Sequence, residues 1–352
     1  MKVVHLLPAL EQGGVETVVC DLVRELGSNA EIVVVSKGGR LVERIEAAGG
    51  RHIALDLKSK NPLTYFTRAW KLRRILRKEK PDLVCAHSRV PAWLFVWANR
   101  ALGLRWITYA HGANSVSRYS AVMTKGDLII TPSRFLADYL KANYGTPESK
   151  IRVIPNSVDA KRFDPDNLDP AFIAEKKREW GIREGDRVLM AIGRITPVKG
   201  LDNLIREFAE KKSQSEDSWF PSATLKLVIV GGADKHHQKY LESLKKLAKD
   251  GRLETGDVIF AGSQKKIPEC IAIADEIVSA NTTKPETFGL SVIEAYAMNK
   301  PVRAKCFGGV AEVMAAVESS GKATLREAVI SLYGQELQAK RTISTYTEAQ
   351  RM

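Results

Sequence analysis

Apolar residues along the chain follow two patterns that alternate from the first residues onward. Short runs rich in β-branched residues, such as KVVHLL (2–7) and EIVVVS (31–36), predict buried strands. Between them, VETVVCDLVREL (15–26) repeats apolar residues every three or four positions, which predicts a helix. Strands that alternate with helices indicate a parallel sheet covered by helices on both faces. We therefore expect the first half of the chain to be an α/β domain.

The alternation is interrupted once. Residues 161–186 are rich in charged residues, Asp and Pro, which predicts a linker and an entry helix. The strand and helix pattern restarts at RVLMAIGRI (187–195). We therefore expect two successive α/β domains, over residues 1–165 and 166–337.

The C-terminal segment has a less regular pattern. ATLREAVISLYGQEL (323–337) has helical spacing, whereas the last residues, TISTYTEAQRM, are predicted to be a polar end. Residues 338–352 are also a candidate for packing back on the first domain.

A strand, a turn and a helix start follow one another in KPETFGLSVIEAYAMNKPV (284–302). Pro285 must lie beyond the preceding strand, and Gly289 allows close approach of a ligand to the backbone. Glu286 precedes the predicted helix and Glu294 lies in its second turn. Carboxylates beside unpaired helix N–H groups suit a ligand with hydroxyls and phosphates, such as a nucleotide-sugar. Taken alone, the same residues favour a capped surface helix with two solvated glutamates.

Two glycine-containing turns are candidates for binding phosphate. Gly13-Gly14 follows the first strand at a helix start, although an ordinary glycine turn would look the same. GRITPVKG (193–200) repeats this arrangement in the second half and adds Arg194 and Lys199, whose side chains can bind a phosphate. A surface loop with two solvated cations is the alternative.

Two further segments suggest function less specifically. His111 follows a strand in YAHGAN (109–114), at the sheet edge where ligands bind in parallel α/β domains, although a lone histidine is often structural. Residues 62–80 form a predicted amphipathic helix with seven basic residues and one acid. Such a helix can lie on an anionic membrane, or it can cover the sheet with a solvated basic face.

Charge and composition narrow the choice of partners. The net charge is +13, and residues 1–165 account for +11 of it, from 26 Lys and Arg against 15 Asp and Glu. An anionic membrane, nucleic acid or an anionic substrate would suit this excess, but no nucleic-acid-binding motif is present.

No apolar run reaches the roughly 18–20 residues that span a bilayer. The cysteines lack CxxC spacing, which favours reduced thiols in a cytoplasmic protein; they are Cys20, Cys85, Cys270 and Cys306.

Together these segments resemble the family 4 glycosyltransferases of the GT-B type. The likeness rests on their order along roughly residues 1–315: the glycine pair, HG, IPNSVD, GRITPVKG and PETFGLSVIEA. The resemblance implies two Rossmann-like parallel-sheet domains facing a cleft. It also implies retaining transfer from a nucleotide-sugar, with a UDP- or GDP-sugar expected, without a metal ion or another cofactor.

The resemblance also implies roles for individual residues. Arg194 and Lys199, with Gly193, would neutralise the pyrophosphate of the donor. Glu286 would contact sugar hydroxyls and Glu294 the ribose, and His111 would lie near the reacting sugar. Further residues would line or shape the donor site: Gly13, Gly14, Phe288, Gly289 and Leu290.

Three positions depart from the family pattern. The family usually has glycine where this chain has Asn299, and Asn-Gly where it has Asn156-Ser157. After Glu312 the family has another strand, whereas this chain runs almost directly into a helix. We therefore expect that strand to be missing from the second domain.

The expected function is transfer of a sugar to a glycan or lipid-linked acceptor. Bacterial lipopolysaccharide or another cell-surface saccharide is the expected product, and the inner face of the cell membrane is the expected location. A sugar-nucleotide epimerase of the same fold and a weakly catalytic nucleotide-sugar-binding protein are the alternatives.

Overall fold

The chain folds into two compact units in a computed structural model. It describes residues 1–11, 13–27, 29–215, 225–251, 253–254, 256–281, 284–305 and 307–352. Unit 1 comprises Met1–Ser157 together with Gln335–Met352, and unit 2 comprises Val158–Gly334. The chain thus passes between the units after Ser157 and again after Gly334, where the sequence-based boundaries stood at residues 165 and 337.

Unit 1 contains a seven-stranded parallel sheet in the order β3-β2-β1-β4-β5-β6-β7. Its strands are β1 (Lys2–Leu6), β2 (Glu31–Ser36), β3 (Arg51–Ala54), β4 (Leu83–Ala86), β5 (Trp106–Tyr109), β6 (Leu128–Thr131) and β7 (Ile151–Val153). The helices between them are α1 (Gly14–Leu26), α2 (Val42–Ala47), α3 (Tyr65–Glu79), α4 (Arg89–Asn99) and α5 (Arg134–Tyr144).

The core of unit 1 explains why these segments form strands and helices. All four residues of β4 are buried, as expected for a strand covered on both faces. Helix α1 buries one apolar face, which includes Val19, Leu22 and Leu26. The strand order reverses direction between β1 and β4, so the carboxyl ends of these two strands mark the switch point of the sheet.

Unit 2 contains a five-stranded parallel sheet in the order β10-β9-β8-β11-β12. Its strands are β8 (Arg187–Ile192), β9 (Leu225–Val230), β10 (Val258–Gly262), β11 (Glu276–Ser279) and β12 (Val302–Ala304). Its helices are α6 (Pro170–Glu179), α7 (Leu201–Ser215), α8 (Gln238–Asp250), α9 (Ile267–Ile273), α10 (Leu290–Ala297), α11 (Gly309–Glu318) and α12 (Leu325–Tyr333). The predicted α/β class with two parallel-sheet domains is confirmed.

The sheet of unit 2 ends at β12, a strand that sequence analysis had not predicted. From Gly309 to Gly334 the chain forms α11 and α12 and contributes no strand. Asn299 has a positive φ of 52°, a left-handed conformation that asparagine adopts more readily than most residues other than glycine. Its Oδ1 accepts a hydrogen bond of 2.9 Å from the backbone N–H of Arg326, so it also satisfies a donor in the first turn of α12.

The prediction of a polar end after residue 341 is wrong. The last helix, α13 (Gln335–Arg351), belongs to unit 1, and Tyr346 and Ala349 on it are fully buried. The hydroxyls of Tyr346 and Tyr109 are 2.6 Å apart, and Glu348 pairs with Arg152. Hydropathy misses this helix because much of its buried face is polar, including Thr342 and Thr345.

The cysteines of the described chain are free and buried. Burial raises the pKa of Cys20 to about 11 and that of Cys85 and Cys270 to about 12. Cys306 lies outside the described residues. Among the helices described above, none combines the length and apolar character needed to cross a membrane.

Candidate functional site

The predicted site residues divide between the two units. Gly13, Gly14 and His111 lie in unit 1. Unit 2 holds the larger group, all of it close to the carboxyl edge of its sheet or in the first two turns of a helix: Gly193, Arg194, Lys199, Glu286, Phe288, Gly289, Leu290 and Glu294.

A pocket lies at the switch point of the unit 2 sheet, between the carboxyl ends of β8 and β11. In open α/β sheets this is where ligands bind. The turn after β8 contributes Gly193, Arg194 and Lys199 to its lining. Sequence analysis missed the residues that line its other side, which are Ser279, Ala280, Asn281 and Ser291. They end or follow β11 or lie at the start of α10, and no charge or glycine distinguishes them.

The turn after β8 is held close to the turn after β9. The N–H of Gly193 donates to the carbonyl of Val230 at 3.0 Å, and the N–H of Ile195 donates to that of Gly232 at 3.0 Å. Gly231 has a φ of +157°, and a Cβ there would overlap the carbonyl of Gly193. Gly231 therefore shapes the pocket, and its signal in the sequence is the glycine pair Gly231-Gly232 directly after a strand.

The ion pair between Lys199 and Glu286 is the main polar contact of this region. Lys199 Nζ lies 2.6 Å from Glu286 Oε1, and the two side chains are 27% and 20% exposed. Glu286 Oε2 is buried, and no described residue hydrogen-bonds to it. The carbonyl of Glu286 accepts a hydrogen bond of 2.8 Å from the N–H of Gly309, which holds the backbone of this residue. One carboxylate oxygen is thus held by the ammonium, while the other retains unused acceptor capacity.

The remaining unit 2 candidates have different environments. Arg194 is exposed, and its guanidinium makes no hydrogen bond or ion pair with the residues the structure describes. Gly289 caps α10 with a φ of +97°, a conformation that favours glycine, and Leu290 is the first residue of that helix. Phe288 is buried in the core and packs edge-on against Tyr333, with ring centroids 5.5 Å apart. Glu294 is half-buried in the second turn of α10.

The glycine pair of unit 1 lies at the start of α1. Gly13 is the N-cap and has an extended backbone, which any residue can adopt. A Cβ on Gly13 would overlap Oε2 of Glu16, so the glycine makes room for that carboxylate. Glu16 therefore places a negative charge at the helix N-terminus. The predicted phosphate contact at Gly13 and Gly14 would compete with it.

His111 follows β5 at the carboxyl edge of the unit 1 sheet and is half-buried. Its Nε2 is 2.9 Å from Nδ1 of His87, which is itself 2.8 Å, through Nε2, from Nδ1 of His5. Burial lowers the pKa of His111 to about 4, so the ring is neutral at pH 7. Sequence analysis missed His5 and His87, although all three histidines lie on or directly after neighbouring strands of one sheet.

In the part of the chain that the structure describes, no cluster of three or more His, Cys, Asp or Glu side chains could hold a metal ion.

Two family models match the chain. The model of Glycosyltransferase Family 4 matches residues 12–162, and the model of Glycosyl transferases group 1 matches residues 172–331. A similar curated protein is a GDP-mannose-dependent alpha-(1-6)-phosphatidylinositol monomannoside mannosyltransferase of Mycolicibacterium smegmatis. It is 26% identical over 326 residues, which cover 86% of this chain and 79% of that protein.

Two solved structures resemble the whole chain. A glycosyltransferase from Rickettsia africae has a TM-score of 0.82 and 25% identity, covering 99% of this chain and 98% of its own. Anabaena Alr3699/HepE, crystallised in complex with UDP and glucose, has a TM-score of 0.76 and 19% identity, covering 99% and 98%. At that identity the second likeness concerns the fold alone.

Proposed function

We propose that this chain, which belongs to the family 4 glycosyltransferases, moves a sugar from a UDP- or GDP-sugar to an anionic, lipid-linked or phosphorylated acceptor with retention of anomeric configuration. Glycosyl transfer from a nucleotide-sugar is the activity of the family. The donor nucleotide, the acceptor and the stereochemistry are our proposal, as are the roles of individual residues.

The observation that carries the proposal is the buried Oε2 of Glu286, which has no hydrogen-bond partner among the described residues and lies beside the Lys199 ion pair. A sugar hydroxyl would donate to this oxygen and satisfy it. Lys199 would then lie close to the leaving pyrophosphate, whose charge grows as the glycosidic bond breaks. The exposed guanidinium of Arg194 would add a bidentate contact to the phosphates. Glu294, in the second turn of α10, would accept hydrogen bonds from the ribose.

We propose that Lys199 and Arg194 supply the positive charge that the leaving group needs, without a metal ion. No side chain is required as a nucleophile, because the departing phosphate helps to deprotonate the acceptor on the same face of the sugar. On unit 1, we assign His111, Gly13 and Gly14 to sugar transfer. This assignment predicts that EDTA leaves the turnover unchanged.

The charge of the first half of the chain and the mycobacterial relative favour an anionic acceptor. Residues 1–165 carry a net +11, from 26 basic and 15 acidic residues. The mycobacterial relative acts on a phosphatidylinositol monomannoside, which joins a sugar, a phosphate and a lipid. A phosphorylated lipid-linked saccharide, including a lipopolysaccharide precursor, therefore fits the proposal better than a neutral sugar.

Helix α3 and the turn before it support contact with an anionic membrane. Leu63, Phe66 and Trp70 are 89%, 61% and 48% exposed and lie about one turn apart. The exposed face continues along the same helix with basic residues, including Lys71, Arg74 and Lys78. Apolar side chains that can enter the lipid interface, beside cations that can pair with headgroups, are the features of an interfacial helix.

A thermal-shift panel with UDP-, GDP-, ADP- and CMP-sugars tests the donor class. At a ligand concentration of 100 Kd, binding raises the free energy of unfolding by about 2.7 kcal/mol. We expect a shift with a UDP- or GDP-sugar, and the absence of any shift would contradict the proposal. Product analysis then separates the alternatives: an epimerase would convert the donor without an acceptor, and a weakly catalytic binding protein would bind it without turnover.

A further inference from the structure

Three histidines of unit 1 form a continuous chain of hydrogen-bonded rings. His5 lies on β1, His87 follows β4 and His111 follows β5, so the chain crosses the switch point of the sheet. Nδ1 of His5 lies 2.8 Å from Nε2 of His87, and Nδ1 of His87 lies 2.9 Å from Nε2 of His111. Neighbouring ring planes are inclined by only 25° and 16°, with centroids 5.1 and 5.2 Å apart.

All three rings are neutral at pH 7. Burial lowers the pKa of His5 to about 3 and that of His111 to about 4. Burial, with the neighbouring rings as a smaller cause, holds the pKa of His87 well below 6.5. The rings contact one another nitrogen to nitrogen, so each contact requires one nitrogen that carries a proton and one that carries a lone pair.

Because the contacts share His87, its tautomer determines the other two. If His5 donates through Nδ1, Nε2 of His87 is an acceptor, and His87 must donate through Nδ1 to Nε2 of His111. His111 then carries its proton on Nδ1. In the reverse arrangement all three protons are on Nε2. No other combination of neutral tautomers satisfies both contacts.

The environment of His5, at the buried end of the three hydrogen-bonded histidines, decides between the two arrangements. Nε2 of His5 is fully buried and has no hydrogen-bond partner among the described residues. With the protons on Nε2, a buried N–H would be left without an acceptor, whereas with the protons on Nδ1 only a lone pair is unsatisfied. Buried N–H groups without an acceptor are the rarer of the two in proteins. The burial of Nε2 of His5 therefore favours the Nδ1–H tautomer in all three rings.

We propose that His5 and His87 are positioning residues that set the tautomer of His111 to Nδ1–H. The only lone pair of the His111 ring then accepts a hydrogen bond from His87. His111 consequently cannot act as the general base of sugar transfer, and any oxygen that its ring contacts is bound as an acceptor of an N–H. The effect on catalysis rests on the proposed function, whereas the tautomer itself does not.

The tautomers can be measured directly on the ligand-free protein. In the full chain labelled with ¹⁵N-histidine, long-range ¹H–¹⁵N correlations distinguish Nδ1–H from Nε2–H rings. The six histidines can be assigned from single substitutions such as His87→Gln and His111→Gln. We expect His87 and His111 to be neutral Nδ1–H tautomers at pH 7. An Nε2–H or protonated His111 would overturn the proposal whether or not the protein transfers sugar.

Two nearly isosteric variants of His5 test the direction in which the hydrogen bonds between the three histidines run. In His5→Asn the amide can still donate to Nε2 of His87. His111 should therefore stay in the Nδ1–H tautomer, and kcat should stay close to that of the wild type. In His5→Asp the carboxylate can only accept, which should move both rings to Nε2–H and lower kcat by about a hundredfold through loss of a preorganised donor. Equal kcat values in the two folded variants would overturn the catalytic part. If His5→Asp does not fold, the wild-type tautomers still decide the proposal.

Discussion

Nζ of Lys199 lies 2.6 Å from Oε1 of Glu286, and Oε2 of the same carboxylate is buried without a hydrogen-bond partner among the described residues. The two residues are 87 positions apart and come from the turn after β8 and the segment after β11. The ion pair thus holds a cation and an acceptor oxygen side by side at the switch point of the unit 2 sheet.

Lys199→Ala should lower kcat by about 10²- to 10³-fold, because it removes a preorganised charge that would stabilise the leaving phosphate. It should also weaken binding of the nucleoside diphosphate, which calorimetry can measure separately from turnover. Lys239→Ala is the matched control, since Lys239 is an exposed lysine of the same unit on α8. If Lys199→Ala and the control had the same kinetics, the pyrophosphate assignment would be wrong.

The triple variant K71Q/R74Q/K78Q should bind anionic vesicles about a hundredfold more weakly than the wild type. Each basic residue near an anionic surface contributes about 1 kcal/mol, and three charges are removed. The variant K239Q/K245Q/K246Q lowers the net charge equally on exposed residues of α8 and should leave vesicle binding nearly unchanged. Equal losses in both variants would show that net charge, and not the surface of α3, governs binding.

Tyr346→Phe should lower the free energy of unfolding of unit 1 by about 1–3 kcal/mol. The substitution leaves the buried hydroxyl of Tyr109 without the partner that now lies 2.6 Å away. Tyr144→Phe is the control, because the Tyr144 hydroxyl donates to the carbonyl of Ser115 over a long 3.5 Å on an exposed surface. Denaturant unfolding of both variants measures the difference, and equal stabilities would contradict a structural role of α13 in unit 1.

Unit 1 should lose stability as the pH falls below about 6.5. The pKa of His5 is lowered to about 3 and that of His111 to about 4, so the unfolded chain binds protons that the folded chain does not. The contribution of these neutral rings to the free energy of unfolding is therefore fully present above pH 6.5. It declines as the pH falls towards 4, by about 1.4 kcal/mol per pH unit for each ring. Denaturant unfolding between pH 7 and pH 4.5 measures this slope. His5→Asn should make it shallower, and an unchanged slope would contradict the burial of that ring.

Much of the fold is predictable because local patterns and the fold agree. The run EIVVVS (31–36) became β2 with its original bounds, and the apolar face of 15–26 became the buried face of α1. Helix α13 was missed because Thr342, Thr345 and Gln338 face the core, and their polarity hides the helical period. Gln338 donates from Nε2 to the carbonyl of Pro155 at 2.9 Å, whereas Oγ1 of Thr342 has no hydrogen-bond partner among the described residues. Sequence patterns record neither environment.

The candidate site was predictable in its residue types but not in its contacts. Arg194, Lys199 and Glu286 could be selected because charge and glycine follow predicted strands. The pairing of Lys199 with Glu286 depends on β8 and β11 being neighbours in the sheet, which no local signal reveals. The same holds for His5 and His87, each of which looks like an isolated histidine until the strands are placed side by side.

Turnover by Glu286→Gln tests the central claim most directly. The amide keeps the size of the side chain but removes the charge that pairs with Lys199 and replaces one acceptor oxygen with a donor. We predict that kcat for sugar transfer falls by about 10²- to 10³-fold, while the Kd of the free nucleoside diphosphate changes much less. A variant that transfers sugar at the wild-type rate would contradict the account of this site.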